Sequence, residues 1–142
     1  MQVGAIMLNM LKLAGKIAVP VMDNDPRSFW LGCIGIRKDG VLVSARNGSI
    51  QHMFSKSLDP DLADKSSDYH AEGRALRKMG KGGELYVARV SRKDGSFVMA
   101  RPCCLCQSKI RAHRIGKVYY TINDNQYGIW YPDTDTDKVL NR

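Results

Sequence analysis

Apolar positions recur along the chain in two rhythms, and the change from one to the other marks out the elements. Over residues 5–18, Ile6, Met7, Met10, Leu11, Ala14, Ile17 and Ala18 fall at helical spacing while Lys12 and Lys16 stand off that stripe. The pattern predicts an amphipathic helix ending near Pro20. Residues 22–26, Met-Asp-Asn-Asp-Pro, are turn formers. The apolar run 29–37 is too short for a buried helix and predicts a strand. Lys38-Asp39-Gly40 joins it to a second strand around Val41-Leu42-Val43, because an Asp-Gly pair favours a tight hairpin. From 46 to 69 the sequence turns polar and loses any period, which predicts a long connection with one short helical turn near residues 60–63. Connections of that length are often functional.

Residues 70–79 predict a helix closed by Gly80 and the Gly82-Gly83 pair, and residues 85–90 a strand followed by a turn at Lys93-Asp94-Gly95. Pro102 opens a helix over residues 103–113 that Gly116 punctuates. Strands are predicted at 118–122 and 128–131, and the alternation of acid and threonine over 133–137 predicts a frayed tail. Helices interleaved with strands describe a sheet covered by helices, an α/β layer architecture.

Length and composition add bounds. A chain of 142 residues that is 44% apolar is expected to form a single domain over residues 1–142, with a real core. The apolar run at residues 17–22 contains a proline, and neither it nor the run from residue 29 approaches the about 18 residues a membrane-spanning helix needs. Lys12 and Lys16 interrupt the first apolar stretch and no small-residue cleavage site follows, so a cytoplasmic protein with no membrane partner is expected. The net charge of +8 is local: residues 70–117 hold 12 basic and 3 acidic residues, whereas the remaining 94 hold 10 and 11. Such an excess serves either a solvated surface or the attraction of phosphate and polyanions.

The cysteines change the picture further. Cys33 stands alone in an apolar strand, whereas Cys103, Cys104 and Cys106 are packed into Pro-Cys-Cys-Leu-Cys, which is no disulfide framework and points to metal or thiol chemistry in a reducing compartment. On a helix Cys103 and Cys106 share a face while Cys104 is turned about 100° away. A helix start favours the thiolate that zinc requires. His70 opens the preceding helix and completes a three-ligand set of His70, Cys103 and Cys106, leaving a position for water, with Glu72 near enough to move its proton. A purely structural zinc closed by Cys104 or Cys33 accounts for the ligands and leaves Glu72 unexplained. His52 and His113 read as ordinary surface or core histidines, Cys33 as a small buried hydrophobe and Cys104 as a packing residue.

His70-Ala71-Glu72 followed, with 30 residues between Glu72 and Cys103, by Cys103-Cys104-Leu105-Cys106 behind Pro102 resembles the H-x-E and P-C-x-x-C signature of the zinc-dependent cytidine deaminase superfamily. The resemblance implies a three-layer α/β/α fold with a central mixed sheet of about five strands. It implies one zinc ion per chain with a bound water, held by His70, Cys103 and Cys106, and a hydrolytic deamination in which Glu72 protonates the ring nitrogen and then the departing ammonia. It further implies substrate contacts by Asn47, in the segment Ser44-Ala45-Arg46-Asn47-Gly48, and by the backbone at Ala71, Arg101 and Pro102. A cytosine substrate is favoured, in a nucleotide or in single-stranded DNA or RNA. The readings beside it are an adenosine deaminase acting on tRNA and a non-catalytic, zinc-stabilised module that binds nucleic acid. Trp130 and Tyr131 read either as rims of the site or as core and subunit contacts, and similar enzymes make a homo-oligomer a further expectation.

Overall fold

The computed structural model describes residues 2–19, 29–47 and 71–141. The expected turn near 22–26, the long connection with its helical turn, His52 and His70 lie outside the described residues.

Helix α1, Gln2–Ala18, leads into strands β1, Phe29–Ile36, and β2, Leu42–Arg46, which pair antiparallel across the turn at residues 37–41. Gly40 takes φ +87°, a conformation that the Asp-Gly pair supplies cheaply. Helix α2, Ala71–Met79, is followed by β3, Glu84–Ser91, and the two-residue β4, Phe97–Val98. Helix α3, Cys104–Ala112, then carries the chain to β5, Lys117–Asn123, β6, Gln126–Tyr131, and β7, Thr136–Asn141. The strands form one mixed sheet in the order β2-β1-β3-β5-β6-β7, with β4 on β3. Among the described strands only β3 and β5 run parallel, as a strand-helix-strand crossover through α3 requires; the other pairs are antiparallel.

Alternation along β3 sorts the core into two layers. Leu85 and Val87 face α2 and α3 with Ala75, Leu76, Cys106 and Ile110, whereas Tyr86 and Ala88 face α1 with Leu11 and Ala14. On the α1 side Tyr86 stacks on Tyr119, ring centroids 4.5 Å apart. Helix α1 lies so close to β1 that a side chain at Gly32 would run into the backbone of Ala14 and Ala18. The fold is thus the expected three-layer α/β/α arrangement around a mixed sheet.

Three expectations are corrected. The sheet has seven strands among the described residues, because the two-residue β4 and the C-terminal β7 join it. The frayed tail is instead the turn at 132–135 and strand β7, which pairs with β6 along its whole length. Cys104 is exposed on α3 and not a packed core residue, while Cys33 is fully buried as expected. Trp130 is also fully buried, which makes it core and not rim. No described helix is long and apolar enough to cross a membrane.

Candidate active site

The first turns of α2 and α3 approach each other at one end of the sheet. Glu72, in the first turn of α2, is 2% exposed, and a carboxylate there is favoured by the positive end of the helix. Cys103 caps α3 with extended backbone, φ −68° and ψ 168°, and its carbonyl accepts from the Gln107 N–H at 2.8 Å. Cys106 lies one turn on, fully buried, within hydrogen-bonding reach of both Cys103 and Glu72. No disulfide engages any of these thiols.

A cavity of about 250 Å³ opens at this point, and Asn47, Glu72, Arg101 and Cys103 all line it. Four of the residues singled out from the sequence therefore meet in one place. Ala71 and Pro102 are buried and do not line the cavity, and the Pro102 carbonyl accepts from the Gln107 side-chain amide at 2.8 Å. Asn47 is fixed by two contacts with Leu31: its N–H donates to the Leu31 carbonyl and its Oδ1 accepts from the Leu31 N–H, both at 3.1 Å.

Leu31, Arg89, Met99 and Ala100 complete the lining and were not singled out from the sequence. Arg89 had a signal: it continues the Leu85-Val87 face of β3, so a cation stands at a period-two position of an apolar face. The other three carry ordinary strand or connection chemistry and gave none.

Burial pushes the Glu72 carboxyl up to about 7; hydrogen bonds from the backbone and from Cys106, and the Arg89 guanidinium, offset part of that cost. One carboxyl oxygen, Oε1, is buried with no hydrogen-bond partner among the described residues. Burial also pushes the Cys106 thiol well above its ordinary range, with Glu72 and Cys103 adding to the effect. Two sulfur donors one helical turn apart, beside a carboxyl oxygen left without a partner, suit zinc, which takes thiolate and imidazole ligands and tolerates an open position. The described residues hold no group of three candidate ligands, and the third in the motif, His70, immediately precedes Ala71 outside them.

Arg101 is held from behind. Its guanidinium makes two hydrogen bonds to Asp137, both at 2.9 Å, and lies 3.7 Å from Asp135. Tyr120 donates to Asp137 at 2.5 Å, and Asp135 accepts from Trp130 Nε1 at 3.0 Å and pairs with Arg111 at 3.3 Å. Arg101 and Arg111 both lie over the Trp130 ring, at 5.5 and 5.1 Å from its centroid. The β6–β7 hairpin thereby anchors the segment that delivers Cys103. Of the basic excess in residues 70–117, only Arg89 and Arg101 line the cavity. Arg74 and Lys78 instead donate to the Arg46 and Ser44 carbonyls of β2, at 3.0 and 2.7 Å.

Among solved structures the chain is similar to cytidine deaminase from Mycobacterium tuberculosis, at 21% identity over 80% of this chain and 82% of that one, with a TM-score of 0.46. Two mutants of the same enzyme are also similar: one at 21% identity, covering 80% and 83%, with a TM-score of 0.46, the other at 22% identity, covering 81% and 78%, with a TM-score of 0.39. No curated protein matches. The family described as the cytidine and deoxycytidylate deaminase zinc-binding region matches residues 2–122, a span that runs from α1 through both helix starts at the cavity and on into β5. With its match extending over that whole framework, the chain belongs to the zinc-binding cytidine and deoxycytidylate deaminase family.

Proposed function

We propose that the chain is a zinc-dependent hydrolase that converts cytosine to uracil and releases ammonia, acting on a nucleoside or nucleotide or on cytosine in a single strand. The observation that carries this reading is the Glu72 carboxyl: buried in the cavity wall, beside Cys103 and Cys106, with Oε1 lacking a partner among the described residues. A carboxylate desolvated in that way is costly unless it has work to do with a ligand.

His70, Cys103 and Cys106 would hold the metal. Bound there, zinc would supply Lewis-acid activation of a water molecule near neutral pH. Glu72 would carry one proton from water to N3 of the pyrimidine and a second to the exocyclic amine, which balances water and cytosine against uracil and ammonia. Its elevated pKa suits both directions of transfer. Asn47, locked to Leu31 at the sheet end, orients the substrate, and Leu31, Met99 and Ala100 supply apolar wall that limits water.

The test is a substrate panel of cytidine, deoxycytidine, their monophosphates, single-stranded DNA and RNA, and tRNA, with released ammonia and the product base both measured. Uracil formed with equimolar ammonia from a cytosine substrate is expected. Inosine formed in tRNA would replace cytosine by adenine, and no turnover on any substrate would contradict a catalytic role.

A further inference from the structure

At the opposite end of the sheet Lys38, Lys81, Arg114 and Lys117 surround a second concavity of about 500 Å³. The four cations come from four different segments: the β1–β2 turn, the α2–β3 loop, the α3–β5 loop and the first residue of β5. All four are exposed, and none makes an ion pair among the described residues. Glycine backbone lines the wall between them. The two loops are tied together: Gly82 N–H donates to the His113 carbonyl at 2.7 Å, Gly116 N–H to the Gly83 carbonyl at 3.1 Å, and His113 Nδ1 lies 2.9 Å from the Gly80 carbonyl. Positive φ at Gly82, Gly83 and Arg114 fixes the path of both loops, so the cations project from a rigid rim.

The structural demand for charge at this end is smaller than the supply. Lys81 and Arg114 follow the C-termini of α2 and α3, each equivalent to about half a negative charge. Among the described residues Glu84 is the one carboxylate lining the concavity. Four cations against one carboxylate and two helix ends leave about two positive charges uncompensated, which matches the roughly −1.5 to −2 of a phosphate group.

We propose that this concavity is a second binding site whose ligand chemistry is the phosphate group, carried by a free polyphosphate or by a single-stranded nucleic acid. It is separate from the deaminase cavity. Glu84 and Arg89 border the two cavities from opposite ends of β3, and at about 3.3 Å per residue they stand roughly 17 Å apart. The proposal is independent of the deaminase reading, because it concerns neither the zinc ligands nor Glu72.

The full-length, zinc-loaded protein is titrated with tripolyphosphate by calorimetry and with a labelled oligothymidylate by fluorescence anisotropy. Thymine has no exocyclic amine, so the second probe offers the deaminase cavity no substrate. The double variant Lys81→Gln, Lys117→Gln is compared with Lys16→Gln, Lys138→Gln, which removes the same charge from exposed positions on α1 and β7. The first variant is expected to bind about tenfold more weakly and, on the oligonucleotide, to lower the slope of log affinity against log salt by about 1.4, or about 0.7 per lost phosphate contact. The second variant is expected to keep the wild-type affinity, and both to keep the wild-type melting temperature and deamination rate. Tripolyphosphate binding assigns a free phosphate ligand, and binding of the oligonucleotide alone assigns the strand. Binding of neither probe, or equal weakening by both variants, overturns the proposal.

Discussion

Glu72 is a carboxylate that the fold takes out of water while leaving one of its oxygens without a partner among the described residues. Thr121 shows the opposite economy. Its buried hydroxyl donates to the Val98 carbonyl at 2.8 Å and accepts from the Arg89 N–H at 3.2 Å, while its own carbonyl accepts from the Ala100 N–H at 2.8 Å. One residue thus ties β3, β4 and the approach to Cys103 together. Thr121→Val keeps the volume and removes the hydroxyl, leaving the Val98 carbonyl and the Arg89 N–H to find other partners. It is expected to cost about 2 kcal/mol in chemical denaturation; a loss under about 0.5 kcal/mol would show that the hydroxyl does not hold this junction. At this scale the cavity lining was legible at Glu72 and Cys103, where residue type and spacing carry chemistry, and at Asn47 through the family resemblance alone. It was illegible at Leu31, Met99 and Ala100, which reach the cavity only because the sheet brings their segments there.

Among the elements, β7 of the β6–β7 hairpin is a strand that sequence pattern misread as a frayed tail, although its partner β6 was expected. The residues of β7 are almost all exposed, so no apolar alternation announces it, and backbone pairing with β6 defines it instead. The two-residue β4 is below the length at which any period can be read. β1, β3 and β5 were legible because both of their faces are buried and their β-branched and aromatic content is high. The hairpin also holds a titratable device. The Arg101 guanidinium, with the Tyr120 hydroxyl, holds the Asp137 carboxyl below the usual carboxylate range. A depressed folded-state pKa contributes stability that is fully present above the unfolded value near 3.9 and is lost as pH falls through the folded value. Asp137→Asn is therefore expected to melt at a lower temperature than wild type at neutral pH, with the gap closing below about pH 4. A gap that stays constant from neutral to acid pH would contradict the coupling of Asp137 to Arg101.

Over the whole molecule, the +8 charge resolves into parts with different duties. Arg74 and Lys78 brace β2, Arg101 and Arg111 clasp the hairpin, Arg89 borders the cavity at Glu72, and Lys81, Arg114 and Lys117 join Lys38 at the far end of the sheet. A sequence shows that such charges are close along the chain and not which end of a sheet each will reach. The helix starts are different, because Pro102 and the glycines that close the preceding helix are local signals, and of the motif at residues 70–72 and 102–106 both Glu72 and Cys103 line the cavity. The central claim is that Glu72 moves protons beside a zinc ion it does not bind, and the direct measurement is the turnover number and zinc content of Glu72→Gln on the best cytosine substrate. The account predicts a turnover about 10² to 10⁴ lower with zinc still near one per chain. Turnover close to wild type in that variant would contradict it.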